Sequence, residues 1–256
     1  MVDEVLVSSL SRYTGLILLS CSLWAWSPLH SQEELRVLFI GNSLTYTNNL
    51  PHLVEALAAA SNRRLIHQSL TLPNYSLEDH WVDGNALKLI RQERWDIVVL
   101  QQGPSGLEES RELLIKYSRL FDREIHKVGA RTALYMVWPS VSRFQDFDRV
   151  TESYTLAADD IQGILLPAGT AWLEAWKLDA KAPLYSEDGF HPSAIGSYLV
   201  AFVFYERLFG GSFPKLSDIR RNTSLFELTP EQYELLRRSA SETNGASFKE
   251  KAGHEN

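Results

Sequence analysis

The sequence predicts a three-layer α/β/α sandwich around a mostly parallel five-stranded sheet. Three observations predict it. Short, continuous apolar runs recur along the chain. Stretches with helical spacing separate them. The runs lie about 30 residues apart, the size of a strand–helix–strand unit. Continuous apolar strands imply burial on both faces, which requires a layer of helices on each side of the sheet.

Each element has a local reason. Leu35–Ile40 is a partly β-branched apolar run that ends at Gly41, and reads as a buried strand. A helix follows, with Asn49 placed to cap it, Pro51 in its first turn, and Leu50, Leu53, Val54 and Leu57 at helical spacing. Leu65–Leu72 is a second strand, and Leu77 to about Arg91 is helical with Gly84 as a weak point. Asp96–Leu100 is the third strand. Leu113, Leu114, Tyr117, Leu120, Phe121, Ile125 and Val128 then mark an amphipathic helix closed by Gly129. Thr132–Val137 is a fourth strand, Val150–Ile161 a helix, and Ile164–Pro167 a fifth strand. Ala168–Leu178 and Ser193–Phe209 are helices. Thr229-Pro230-Glu231-Gln232 has the form of a capping box and opens a helix to about Ala240; from Ser241 the composition reads as a frayed tail.

The first 31 residues read differently. Gly15–Trp26 is uncharged and apolar but too short to span a bilayer, and has the length of the apolar region of an export signal. Leu18-Leu19-Ser20-Cys21 resembles a bacterial lipobox, in which the cysteine is lipidated. The expected organisation is an export or lipoprotein signal over residues 1–31, a catalytic-type domain over 34–212, a helical extension over 213–240 and a disordered tail over 241–256. Export implies a periplasmic, secreted or lipid-anchored protein, with membrane contact only through Cys21.

Composition excludes several classes. The chain has 256 residues and a formal net charge of −7, with no Lys/Arg-rich run, so nucleic acid is not an expected partner. A single cysteine, Cys21, forms no internal disulfide and no Cys-based zinc cluster. No His/Asp/Glu spacing resembles a metal site and no Gly-rich phosphate loop is present, so neither metal nor cofactor is expected.

A parallel sheet puts ligands at the carboxyl ends of its strands, so the loops there carry the candidates. The first gives Gly41-Asn42-Ser43-Leu44. Ser43 either caps the next helix or presents its hydroxyl beyond the sheet edge near free backbone N–H groups. The loop ahead of the last long helix gives Asp188-Gly189-Phe190-His191-Pro192. Asp188 lies three residues before His191, so it either makes an Asx-type turn beside a surface histidine or orients a general base.

The two blocks together resemble the SGNH hydrolases, also called the GDSL family. Their first block is G-D/N-S-L and their last is D-x-x-H, and the resemblance spans roughly Leu35 to Phe209. It implies a flavodoxin-like sheet, an ester hydrolase without cofactors, Ser43 as nucleophile, His191 as general base and Asp188 as its partner. The middle blocks depart from the family, which usually has a glycine after strand two and an asparagine after strand three as oxyanion donors. Here the segments read Leu72-Pro73-Asn74-Tyr75 and Leu100-Gln101-Gln102-Gly103. Asn74 and one of Gln101 or Gln102 are the substitutes. His80, Trp81 and Trp138 are candidates for the substrate pocket, Trp138 as a sugar-stacking or acyl wall. The expected substrate is a small or glycan ester, an O-acetylated carbohydrate first; the alternative is a carbohydrate-binding or modifying protein of the same fold with little hydrolysis.

Overall fold

The computed structural model describes residues 33–222 and 227–254, with 246–254 as backbone only. The expected export signal and Cys21 lie outside the described residues.

Five parallel strands form one sheet. They are β1 (Glu34–Gly41), β2 (Arg64–Thr71), β3 (Ile97–Leu100), β4 (Arg131–Met136) and β5 (Ile164–Pro167), in the order β2-β1-β3-β4-β5. Between them run α1 (Ser43–Tyr46), α2 (Leu50–Ala60), α3 (Leu77–Asp83), α4 (Asn85–Gln92), α5 (Glu108–Lys127) and α6 (Phe147–Asp160). After β5 come α7 (Ala168–Leu178), α8 (Ala194–Phe209), α9 (Leu216–Asn222) and α10 (Pro230–His254). The chain leaves β1 towards β2, then crosses back to β3. That reversal opens a crevice at the carboxyl ends of β1 and β3, where doubly wound sheets bind ligands. Right-handed crossovers put α2 on the opposite face of the sheet from α5 and α6.

The central strands are as apolar as their sequences require: Val37–Ile40 and Ile97–Leu100 are buried throughout. β2 is an edge strand, and its burial alternates loosely rather than being complete. The expectation of burial on both faces therefore fails there, because an edge strand has a neighbour on one side only. The helix expected over Leu77 to about Arg91 is two helices, broken at Gly84, whose φ is +74°.

α8 is buried along almost its whole length, from Gly196 to Tyr205, because α2, α7 and α10 all pack on it. Thr229 and Gln232 form the expected capping box at the start of α10, through Thr229 N–H to Gln232 Oε1 and Gln232 N–H to Thr229 Oγ1. The tail expected from Ser241 is instead helical as far as His254. Thr243 and Asn244 are buried, and the Asn244 amide donates to Glu206 Oε2 on α8 at 2.7 Å. A polar composition hid these anchors. The short α9 was not foreseen in the sequence. Among the described residues no helix is long and apolar enough to cross a membrane.

Candidate active site

β1 ends at Gly41 and the chain turns directly into α1. Asn42 is the N-cap: its Oδ1 accepts the Leu44 N–H at 3.1 Å. The capping role open to Ser43 is thus taken by its neighbour. Ser43 becomes the first helical residue, half-buried, with its hydroxyl 2.9 Å from His191 Nε2. Gly41 is needed for close approach rather than for an unusual backbone angle, since a Cβ there would stand 2.4 Å from Gln101 Oε1.

Asp188 does both things its sequence position allowed. Its Oδ1 accepts the N–H groups of Phe190 and His191, each at 2.9 Å, and the Ser186 hydroxyl at 2.8 Å, which closes the turn. Gly189, at φ +67°, lets the chain reverse inside that turn. The other oxygen, Oδ2, accepts from His191 Nδ1–H at 2.5 Å. This fixes the imidazole tautomer, with Nδ1 protonated and Nε2 free to accept the Ser43 proton. The bond from His191, backed by the Phe190 N–H, holds the Asp188 carboxyl well below the usual carboxylate range. Ser43, His191 and Asp188 therefore form one hydrogen-bonded chain, assembled from residues 148 positions apart.

The glutamines are placed differently from expectation. Gln101 is fully buried. Its Oε1 accepts from Asn42 N–H at 2.9 Å and Thr45 Oγ1–H at 2.7 Å, while its Nε2 donates to Asn42 Oδ1 and Gln102 O. Gln102 Nε2 donates to the Ser105 hydroxyl at 2.8 Å and to Ser110 O at 3.3 Å. Both side-chain amides are spent on the protein, so neither is a free oxyanion donor. Asn74 is exposed on the cavity wall beside Ser43, at φ 61°, with no side-chain hydrogen bond among the described residues. The Ser43 N–H lies in the first turn of α1, where backbone donors have no helical acceptor.

The three expected pocket residues all lie elsewhere. Trp138 is fully buried, stacked on Trp172 with ring centroids 3.6 Å apart, and its indole N–H donates to Phe190 O at 3.0 Å. It cannot stack on a sugar; it braces the histidine loop from behind. His80 is also fully buried, with Nε2–H donating to Gly41 O at 2.9 Å and Tyr75 against its ring. Burial lowers its pKa, so it serves as a neutral prop under the end of β1. Trp81 packs edge-on against Phe121 of α5.

Asn48 was not foreseen. Its amide donates to Pro192 O at 3.0 Å and to Ser197 Oγ at 2.9 Å, tying the serine segment to the histidine segment. The one signal in the sequence is the Asn48-Asn49 pair, since both residues sit at positive φ, which asparagine tolerates. Beside Ser43 opens a cavity of about 620 Å³, walled by Asn74, Tyr75, the segment from Gly103 to Leu107, Ser140, Arg143 and Asp146. Asp146 is buried and holds Arg143 through its Nε at 2.6 Å. A separate cluster, His52, Glu55 and His67, has the donor atoms of a metal site within 4.8 Å of one another. Linear spacing does not show it, because the third member comes from another element.

No family model and no curated protein matches the chain. Solved structures do. A DUF4886 family protein from Bacteroides uniformis superposes with a TM-score of 0.66 at 20% identity, over 81% of this chain and 93% of the other. A Slackia heliotrinireducens protein described as a candidate SGNH hydrolase gives 0.58 at 24% identity, over 69% of this chain and 100% of the other. An acetyl xylan esterase, AlAXEase, gives 0.55 at 16% identity, over 68% and 100%. The chain has the SGNH hydrolase fold. On this fold the first and last sequence blocks meet at the carboxyl edge of the sheet, at the crevice between β1 and β3. The departures from the usual SGNH pattern lie at the ends of β2 and β3, where Asn74 lines the cavity and Gln101 supports Asn42 from below.

Proposed function

We propose that the protein is a serine esterase of the SGNH type. The observation that carries this reading is the continuous chain from Ser43 Oγ through His191 to Asp188. Ser43 Oγ attacks the ester carbonyl carbon while His191 Nε2 takes its proton. The tetrahedral oxyanion is received by the Ser43 N–H and by Asn74. His191 returns the proton to the departing alcohol as the C–O bond breaks, which leaves an acyl-Ser43. Water, deprotonated by His191, attacks that ester; His191 then returns the proton to Ser43 Oγ as the acyl C–Oγ bond breaks, and the carboxylic acid leaves. Asp188, ionised throughout, stabilises the imidazolium formed twice in the cycle.

The substrate we infer is a short acyl ester of a polyhydroxylated alcohol, an O-acetylated carbohydrate first. A cavity of about 620 Å³ is of a size to hold a small ligand. Asn74, Ser140 and Arg143 on its wall offer donors and acceptors to hydroxyl groups. Export, with a lipid anchor at Cys21, belongs to the same proposal and rests on the N-terminal sequence.

The test is p-nitrophenyl acetate hydrolysis by the protein and by Ser43→Ala. The expected result is turnover that falls by about 10³-fold or more in the variant. Equal rates in both would overturn the assignment. Glycan binding without turnover in either would favour a binding protein of the same fold.

A further inference from the structure

His52 and Glu55 stand three residues apart on α2, so one face of the helix carries both. His67 projects from β2 towards them. Glu55 Oε2 lies 2.8 Å from His52 Nδ1 and 3.5 Å from His67 Nε2, and all three donor atoms fall within 4.8 Å of one another. A tetrahedral zinc ion with bonds of about 2.0–2.1 Å sets its ligand atoms about 3.4 Å apart. The His67–Glu55 spacing meets this as it stands. The His52–Glu55 pair has to open by about 0.6 Å, which rotation of the half-buried Glu55 carboxylate supplies.

The surroundings suit a cation. Two imidazoles and one carboxylate are a donor set that zinc uses in sites with an open fourth position. Side-chain exposures of 41% for His52, 42% for Glu55 and 23% for His67 leave a path from solvent. The His67 ring is held edge-on by Phe39, with centroids 6.1 Å apart, which fixes its orientation towards Glu55. A hollow of about 390 Å³ adjoins Glu55 and His67 and has room for a water or exchangeable ligand. Arg63 and Arg64 also line it, but Glu33 and Glu34 answer their charges. None of the three residues lines the Ser43 cavity.

We propose that His52, Glu55 and His67 bind a divalent metal ion of borderline softness, zinc first among them, with water in the fourth position. Bound there, the ion clamps α2 onto the edge strand β2. Two imidazoles disfavour magnesium and calcium, which prefer all-oxygen sites. The proposal stands apart from the esterase reading.

The test uses the whole chain without a histidine tag, stripped with chelator and titrated with zinc chloride by calorimetry, with Tm followed in parallel. The expected result is one zinc per chain and a Tm that rises with zinc concentration. His67→Ala and His52→Ala each weaken binding at least about 10-fold, whereas His191→Ala binds zinc as the unaltered protein does. His52 is half-buried and less enclosed than His67, so its variant remains informative if His67→Ala folds poorly. Absence of a stoichiometric zinc site, binding unchanged in His52→Ala, or an equal Tm rise with magnesium would overturn the proposal.

Discussion

The indole N–H of Trp138 donates to the carbonyl of Phe190, the residue immediately ahead of His191, at 3.0 Å. The bond fixes the histidine loop to the end of β4, and the stacking of Trp138 on Trp172 fixes the indole in turn. Trp138→Phe keeps an aromatic ring but removes the donor. The expected outcome is a kcat lower by about 10–10² with KM changed less, since small misplacements of catalytic groups cost that much. Stability should fall by about 1–3 kcal/mol. Steady-state kinetics beside urea denaturation check this, and an unchanged kcat in a destabilised variant would show that the loop does not depend on the indole.

Asn48 joins the serine and histidine segments across 144 residues of sequence through its bond to Pro192 O. Because Asn48 sits at φ 54°, alanine would add backbone strain, and glycine is the cleaner replacement. In Asn48→Gly the fold should persist and kcat should fall, because the distance from Ser43 to His191 is no longer held. Circular dichroism and kinetics measured together separate this from general unfolding.

Gln101 distinguishes support from direct catalysis. Removing an oxyanion donor lowers rate by about 10²–10³ and leaves stability alone. Removing Gln101 strands the Asn42 N–H and the Thr45 hydroxyl in a buried place and takes one of the two donors from Asn42 Oδ1. Gln101→Ala should therefore lose about 2–5 kcal/mol of stability together with activity. A stable but slow variant would reinstate Gln101 as an oxyanion donor.

The sheet was legible because its strands are short apolar runs and its helices have clear periods. All five strands fall within a residue or two of the runs that announced them. The serine and histidine blocks were legible because each is a compact motif at a strand end or helix start. What stayed hidden depends on neighbours remote in sequence. Trp138 and His80 look like pocket residues along the chain, but the layers that bury them come from Trp172 and from the end of β1. Gln101 looks like a free amide until Asn42 folds onto it. Thr243 and Asn244 look like a polar tail until α8 presents Glu206.

Asp188 governs the acid side of the behaviour. Its pKa is depressed in the folded state, first by the bond from His191, so its contribution to stability is complete above the unfolded carboxylate value of about 3.9. That contribution is lost as pH falls through the lower, folded value. Above about pH 4 the carboxylate stays ionised and adds no limb to the pH profile of kcat/KM. Asp188→Asn should lower kcat by about 10³–10⁴, because an amide facing Nδ1 favours the wrong tautomer. A pH–rate profile checks the first statement and kinetics of the variant the second.

His80 sets a second pH dependence, at a different place on the scale. Burial lowers its folded pKa below the ordinary histidine value of about 6.5, and its Nδ1 has no partner while Nε2–H is spent on Gly41 O. The unfolded chain therefore binds a proton that the folded protein refuses. Stability from this source is complete above about pH 6.5 and is lost as pH falls towards the folded value. His67, also lowered by burial, acts in the same direction. Urea denaturation between about pH 5 and pH 7 should give unfolding free energies that rise with pH. In His80→Gln, whose amide can still donate to Gly41 O, the rise should be shallower, with His67 supplying what remains. Equal slopes in the two proteins would mean that the buried ring does not titrate in this window, and that the prop under β1 is insensitive to pH.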